Sequence, residues 1–147
     1  MQLAERGRSE QRIGKSRGGY STKVHATTDS LGCPTHFILS GGNASDYSYA
    51  LPLLKGQDAE YVIADKGYDS DEIIDEIEEM EAGAVIPPRS HRNNPREYDR
   101  YLYKERNAIE RMFCRLKQFR RIASRYDKLA TSYLSFLYVA SISIWLA

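Results

Sequence analysis

The chain has 147 residues, with 21 Lys and Arg against 20 Asp and Glu and a formal net charge of +1. That length allows one domain with a real core, and 41% hydrophobic content is ordinary for a globular fold. The two cysteines, Cys33 and Cys114, have neither CxxC nor His/Cys spacing, so a zinc site is not expected and nothing demands an oxidising compartment.

Residues 1–19, rich in Arg, Gly, Ser and Gln, read as a basic flexible arm, with residues 20–147 as the folded domain. No apolar core follows Met1-Gln-Leu-Ala-Glu-Arg6, so no signal peptide is expected. Ser21–Thr28 and Pro34–Leu39 carry β-branched and aromatic residues around Asp29-Ser-Leu-Gly32, the pattern of a hairpin. Gly41-Gly-Asn-Ala-Ser-Asp46 is a loop, from which Ser45 or Asp46 caps a short helix running to about Leu54. Glu60–Ala64 reads as a buried strand ending at Asp65. Ser70 or Asp71 then caps a helix over Glu72–Met80, with Ile73, Ile74 and Ile77 facing inward. Ala82–Ile86 is another strand, stopped by Pro87-Pro88, and a long helix is expected from about Glu97 to Phe119. The apolar run Tyr133–Ala147 falls short of the roughly twenty residues a bilayer span needs. It is read as a buried terminal helix capped by Thr131 or Ser132, with no membrane partner. The order β-β-α-β-α-β-α-α gives an α/β fold with a mixed sheet flanked by helices.

The small net charge hides a segregation. Residues 1–23 carry six Lys/Arg and two acids, residues 24–88 two and thirteen, and residues 89–128 thirteen and five. Basic flanks around an acidic middle suit a polyanion partner, although the segments could equally neutralise one another within the fold.

The run from Tyr103 to Lys117 is the most informative. On an α-helix at roughly 100° per residue, Tyr103, Arg106, Glu110 and Lys117 project at about 0°, −60°, −20° and −40°. Leu102, Ile109 and Leu116 line an adjacent apolar stripe, with Phe113 between the two sets. A lone carboxylate hemmed in by cations beside the buried side suits a metal held by Glu110 and a phosphate backbone held by Arg106 and Lys117. Asp65 follows a strand and precedes Lys66-Gly67, where open α/β sheets place working residues; taken alone it also suits a turn or cap. Two such carboxylates select a hard cation, Mg²⁺ or Mn²⁺, and two such ions can activate water and stabilise a leaving 3′ oxygen.

The spacing Tyr103-x2-Arg106-x3-Glu110-x6-Lys117 resembles the Tyr–Arg–Glu–Lys signature of DDE transposases from insertion sequences. Ala64-Asp65-Lys-Gly-Tyr68-Asp69 resembles the segment bearing that family's second catalytic Asp. Lys15-Ser-Arg-Gly-Gly-Tyr-Ser-Thr-Lys23-Val-His25 and Gly41–Asp46 also resemble family segments. The resemblance implies an RNase H-like fold and Mg²⁺-dependent (or Mn²⁺-dependent) hydrolysis and strand transfer at insertion-sequence ends. Asp65 and Glu110 would be metal carboxylates, and Tyr103, Arg106 and Lys117 contacts to the terminal DNA. It further implies double-stranded DNA, both element ends and target, as partner, action as a multimer, and a cytoplasmic, nucleoid-associated location.

One departure limits this reading. The family's first Asp lies on a first strand upstream of the Lys-Ser-Arg-Gly-Gly segment, and no Asp occurs here before Asp29, which reads as an ordinary turn residue. The chain therefore resembles the downstream portion of a transposase lacking its first strand, either a remnant or the second frame of a two-frame element working with an upstream-frame product. Cleavage by the chain alone is expected to be weak or absent, and a non-catalytic DNA-binding or regulatory fragment is the alternative.

Other features carry less. Gly14-Lys15-Ser16 resembles the end of a phosphate-binding loop, but Ser9 stands where a Gly is required. His25 and His36 are read as structural. His91, Arg89, Arg92 and Arg96 lie in a basic loop that either touches phosphate or is solvated. Tyr133 and Tyr138 are expected in the core, Asp46 as a cap, and Glu105 faces away from the stripe.

Overall fold

The structure, a computed structural model, describes residues 7–147. It is a mixed α/β fold whose sheets are flanked by helices, the class expected from sequence. The chain forms two compact units, one built from residues up to Ser45 together with Ala108–Ala147, the other from Asp46–Asn107.

In the first unit, β1 (Gly14–Ser16), β2 (Gly19–Thr28) and β3 (Pro34–Gly41) form an antiparallel sheet in that order. Asp29 closes the β2–β3 hairpin, its Oδ1 accepting the Leu31 and Cys33 N–H groups at 3.0 and 2.8 Å. Gly32 supplies the positive φ of 81° that the turn requires. The β1 strand lies inside the segment expected to be a flexible arm: Gly14 to Ser16 pair with Ser21 to Gly19 through a tight turn. The first six residues of that segment lie outside the described residues.

Register sets Val24 opposite Leu39 and Ala26 opposite Phe37. Strand alternation therefore puts these four on one face, where Phe37 and Leu39 join a core with Met112, Leu116, Tyr133 and Leu137. The helical contributors are α4 (Asn107–Leu116), α5 (Arg120–Ala123) and α6 (Ala130–Trp145). Trp145 Nε1 donates to the Pro34 carbonyl at 2.8 Å, and Tyr138 meets Phe37 edge-on at 5.5 Å. Tyr133 is buried as expected, whereas Tyr138 keeps an exposed side. Neither Thr131 nor Ser132 caps α6. Its first N–H, on Ala130, donates to the side chain of Gln11 at 2.8 Å. Arg125 completes this tie by donating to the carbonyls of Gln11 and Lys128 and to Thr22 Oγ1. Among the described residues no helix is long and apolar enough to cross a membrane.

In the second unit, β4 (Tyr61–Ile63) and β5 (Gly83–Val85) pair in parallel, with Val62 beside Ala84. Helix α1 (Ala50–Leu54) packs on α2 (Asp71–Glu79), and α2 on β5. Ser70 caps α2, its Oγ accepting the Ile73 N–H at 3.2 Å, with Asp71 and Glu72 favourably placed at the positive end of the helix dipole. Ile73, Ile74 and Ile77 are buried, as their spacing predicts, against Ala50, Leu54 and Ile86. Asp46 precedes a 3₁₀ turn over Tyr47–Tyr49 without a side-chain capping bond.

The long helix expected over 97–119 is not continuous. Asp99 caps a short α3 (Arg100–Tyr103) through the Tyr101 and Leu102 N–H groups, a 3₁₀ turn covers Lys104–Arg106, and only then does α4 begin. Lys104, Glu105 and Arg106 contribute no buried side chain, so no packed face holds this stretch to α-helical pitch.

Candidate functional site

Asp65 sits just past the C-terminal end of β4, where the Ala64 N–H still donates to the Val85 carbonyl at 3.3 Å. Its side chain is exposed and opens a 3₁₀ turn over Lys66–Tyr68, with Oδ1 accepting the Gly67 N–H at 2.8 Å. A Cβ on Gly67 would lie 2.8 Å from that same oxygen, so a larger residue there would push the carboxylate aside. The turn reading of Asp65 is thus observed. Its bond to Gly67 fixes one carboxylate oxygen.

The turn is anchored by a group that the sequence did not single out. Asp69 is buried, with no exposed side-chain surface. Its Oδ2 accepts the Arg89 backbone N–H and Arg92 Nε, both at 2.7 Å, and its Oδ1 accepts Arg96 Nη2 at 2.9 Å. Burial pushes this carboxyl up, but the bonds from Arg89, Arg96 and Arg92 outweigh it and hold the group below its usual value. The Arg89 guanidinium reaches back to the carbonyls of Lys66 and Gly67, at 3.3 and 2.8 Å. Arg92 also pairs with Asp71 at 2.7 Å. The basic loop is therefore neither a solvated stretch nor a row of free cations: these three arginines clamp the segment that carries Asp65, and His91 alone of the four is exposed. Three arginines spaced over eight residues, downstream of an Asp in a turn, were the available signal.

Tyr68 lies in the same turn. Burial, then the charges of Asp46 and Asp65, push its phenol up to about 12. Both carboxylates therefore act on one ring, which keeps its proton across the physiological range.

The four stripe residues divide between the two units, with Tyr103 and Arg106 in the second and Glu110 and Lys117 in the first. Tyr103 is half-buried, with Tyr98 edge-on at 5.7 Å and the Arg106 guanidinium 5.7 Å from its ring centre. Glu110 is exposed in the first turn of α4, whose Met112 and Leu116 are fully buried. Lys117 follows the end of α4, exposed, its N–H bonded to the Phe113 carbonyl at 2.9 Å. It edges a cavity of about 540 Å³ bordered by Tyr20, Phe113, Arg125 and Tyr133. The 3₁₀ interruption and the end of α4 before Lys117 mean that projection onto one continuous helix does not describe this set. Among the described residues no three His, Cys, Asp or Glu side chains cluster in a way that would hold a metal ion.

His25 and His36 lie in β2 and β3, and His25 is buried with Nε2 2.7 Å from Ser40 Oγ, in keeping with a structural role.

The exposed Asp65 carboxylate thus stands at the end of a parallel strand on an α/β scaffold that also carries the basic Tyr–Arg–Glu–Lys segment. The family model for the transposase DDE domain matches residues 3–145. A protein described as a transposase for insertion sequence element IS6501 of Brucella ovis is 38% identical over 128 residues, covering 86% of this chain and 98% of that protein. One for element IS402 of Burkholderia cepacia is 32% identical, covering 79% of this chain and 58% of its own length. The transposase for element IS1106 of Neisseria meningitidis serogroup B is also 32% identical, covering 71% and 38%. No solved structure matches the chain. The chain belongs to the DDE transposase domain family. That family acts on DNA and generally uses divalent metal ions.

Proposed function

We propose that this chain is a catalytic-domain portion of a DNA transposase, acting by Mg²⁺-dependent phosphodiester hydrolysis and strand transfer at insertion-sequence ends. The observation that carries the reading is Asp65, an exposed carboxylate at the end of a parallel strand, with one oxygen fixed by the Gly67 N–H. Its oxygens are hard donors of the kind Mg²⁺ and Mn²⁺ prefer, and Glu110 offers the same chemistry on α4. Bound at Asp65, such an ion would lower the pKa of water and offset charge on the leaving oxygen. Tyr103, Arg106 and Lys117 hold the terminal DNA, the cations at phosphate and the ring beside sugar or base. A third acidic ligand comes from a partner polypeptide, so the chain alone binds DNA and cleaves weakly or not at all. It works as a multimer on paired ends, in the nucleoid.

The test uses labelled element-end duplex. The chain alone should bind it with a steep salt dependence. Arg106→Ala with Lys117→Ala should lower the slope of log K against log[salt] by about 2, since each lost phosphate contact removes about one. With that partner polypeptide supplied, cleavage should appear in Mg²⁺, and Asp65→Asn or Glu110→Gln should abolish it while binding persists. Binding without cleavage under every condition would replace this reading with that of a non-catalytic, regulatory DNA-binding protein.

A further inference from the structure

Arg89 stands outside the Tyr–Arg–Glu–Lys set, yet its side chain is directed at the turn that presents Asp65. Its guanidinium donates to two successive carbonyls, those of Lys66 and Gly67. The N–H of Gly67 is in turn the donor that holds Asp65 Oδ1. The peptide unit between Lys66 and Gly67 is thus held at both ends, its carbonyl by Arg89 and its N–H by Asp65, and the unit between Gly67 and Tyr68 is held at its carbonyl by Arg89. The Arg89 backbone is itself fixed, because its N–H donates to the buried Asp69 at 2.7 Å. A half-buried cation whose hydrogen bonds go to backbone carbonyls of this turn has a geometric role there.

We infer that Arg89 is a positioning residue for Asp65: it sets the pitch of the 65–69 turn so that the Asp65 carboxylate meets a divalent cation with one oxygen already oriented. This rests on the metal reading of Asp65 given above. Two consequences separate positioning from simple charge. Removing Arg89 deletes a positive charge near the carboxylate, which through Coulomb's law alone would tighten cation binding. Loss of orientation instead weakens it, by the roughly 10–100-fold typical of residues that support a metal ligand. Lys in place of Arg keeps the charge but has no planar fork to reach both carbonyls.

The experiment uses the full chain and Mn²⁺ alone, with bound ion measured by electron paramagnetic resonance and the Gly67 amide proton followed by NMR. Asp65→Asn provides the reference for a weakened Gly67–Asp65 bond. Arg89→Met should move the Gly67 amide resonance at least half of the way to its position in Asp65→Asn, and should weaken Mn²⁺ binding about 10–100-fold. Arg89→Lys should fall between Arg89→Met and the unchanged chain in both measurements, and it carries the test alone if Arg89→Met does not fold. A Gly67 resonance left in place overturns the inference, as does Mn²⁺ binding unchanged or tightened in Arg89→Met when the unchanged chain binds Mn²⁺ better than Asp65→Asn does. If the resonance moves but the unchanged chain binds Mn²⁺ no better than Asp65→Asn does, the metal assignment of Asp65 falls and the positioning of the turn stands.

Discussion

Replacing Asp69 by Asn tests how much of the second unit depends on one buried charge. The substitution keeps shape and volume, so its effect isolates the carboxylate from packing. In the native turn that carboxylate accepts three donors at 2.7 to 2.9 Å and has no exposed surface. Breaking a buried pair by removing one partner costs about 3–5 kcal/mol, because the other charge is left uncompensated. Here the residual charge is not wholly stranded: Arg92 keeps Asp71, and the side chains of Arg92 and Arg96 retain 21% and 27% exposure. The lower end applies, and Asp69→Asn should destabilise by about 3 kcal/mol at pH 7. Urea unfolding followed by circular dichroism gives the total, and exchange of the Ile77 amide shows whether the loss falls in this unit. The pH dependence follows from the lowered carboxyl pKa. A group whose folded value lies below its unfolded one contributes fully above the unfolded value, and the contribution fades as pH drops through the folded value. The gap between Asp69→Asn and the unchanged chain should therefore narrow below about pH 4. A loss under about 1 kcal/mol, or a gap that persists unchanged in strong acid, would refute the assignment of Asp69 as the charged centre of this cluster.

Two further substitutions probe the ends of helices. Gln11→Ala removes the side-chain acceptor of the Ala130 N–H at the start of α6, and should lower stability by about 0.5–2 kcal/mol. An unchanged thermal midpoint would show that water replaces it. Glu81 follows α2 with φ of 61°, while the Ala82 N–H closes back onto the Ile77 carbonyl. A left-handed conformation costs an L-residue about 1–2 kcal/mol and glycine's freedom returns about 0.5–1 of that. Glu81→Gly should therefore raise stability by about 0.5–1 kcal/mol, seen as a melting temperature higher by roughly 1–4 °C. A lower one would show that Glu81 makes a compensating contact.

What could be read from sequence was local. The hairpin follows from Asp29-Ser-Leu-Gly32, and α2 from Ser70 followed by isoleucines at helical spacing, because turn and cap chemistry act within a few residues. The place of Asp65 at a strand end, opening a turn with Gly67, was legible for the same reason. The illegible features depend on distance. Gln11 caps a helix 119 residues away, and Asp69 gathers arginines 20 to 27 residues downstream. The 3₁₀ turn over Lys104–Arg106 breaks a pattern that scores well as one helix, since angular projection records spacing and not whether a core lies behind it. The β1 strand escaped notice because Gly, Lys and Ser have little strand preference and are held by pairing to β2 alone.

The first unit takes strands from one end of the chain and helices from the other, with the second unit lying between them in sequence. Synthesis therefore delivers its parts out of step. At about 5–20 residues per second, α6 emerges about 4–18 s after β3. During that interval Phe37 and Leu39 have no Leu137 or Tyr133 to cover them, while residues 46–107 are made as one contiguous stretch. The nascent hairpin is thus the segment most exposed to chaperones, proteases and mispairing, and a ribosome stalled before Ala130 would hold it in that state.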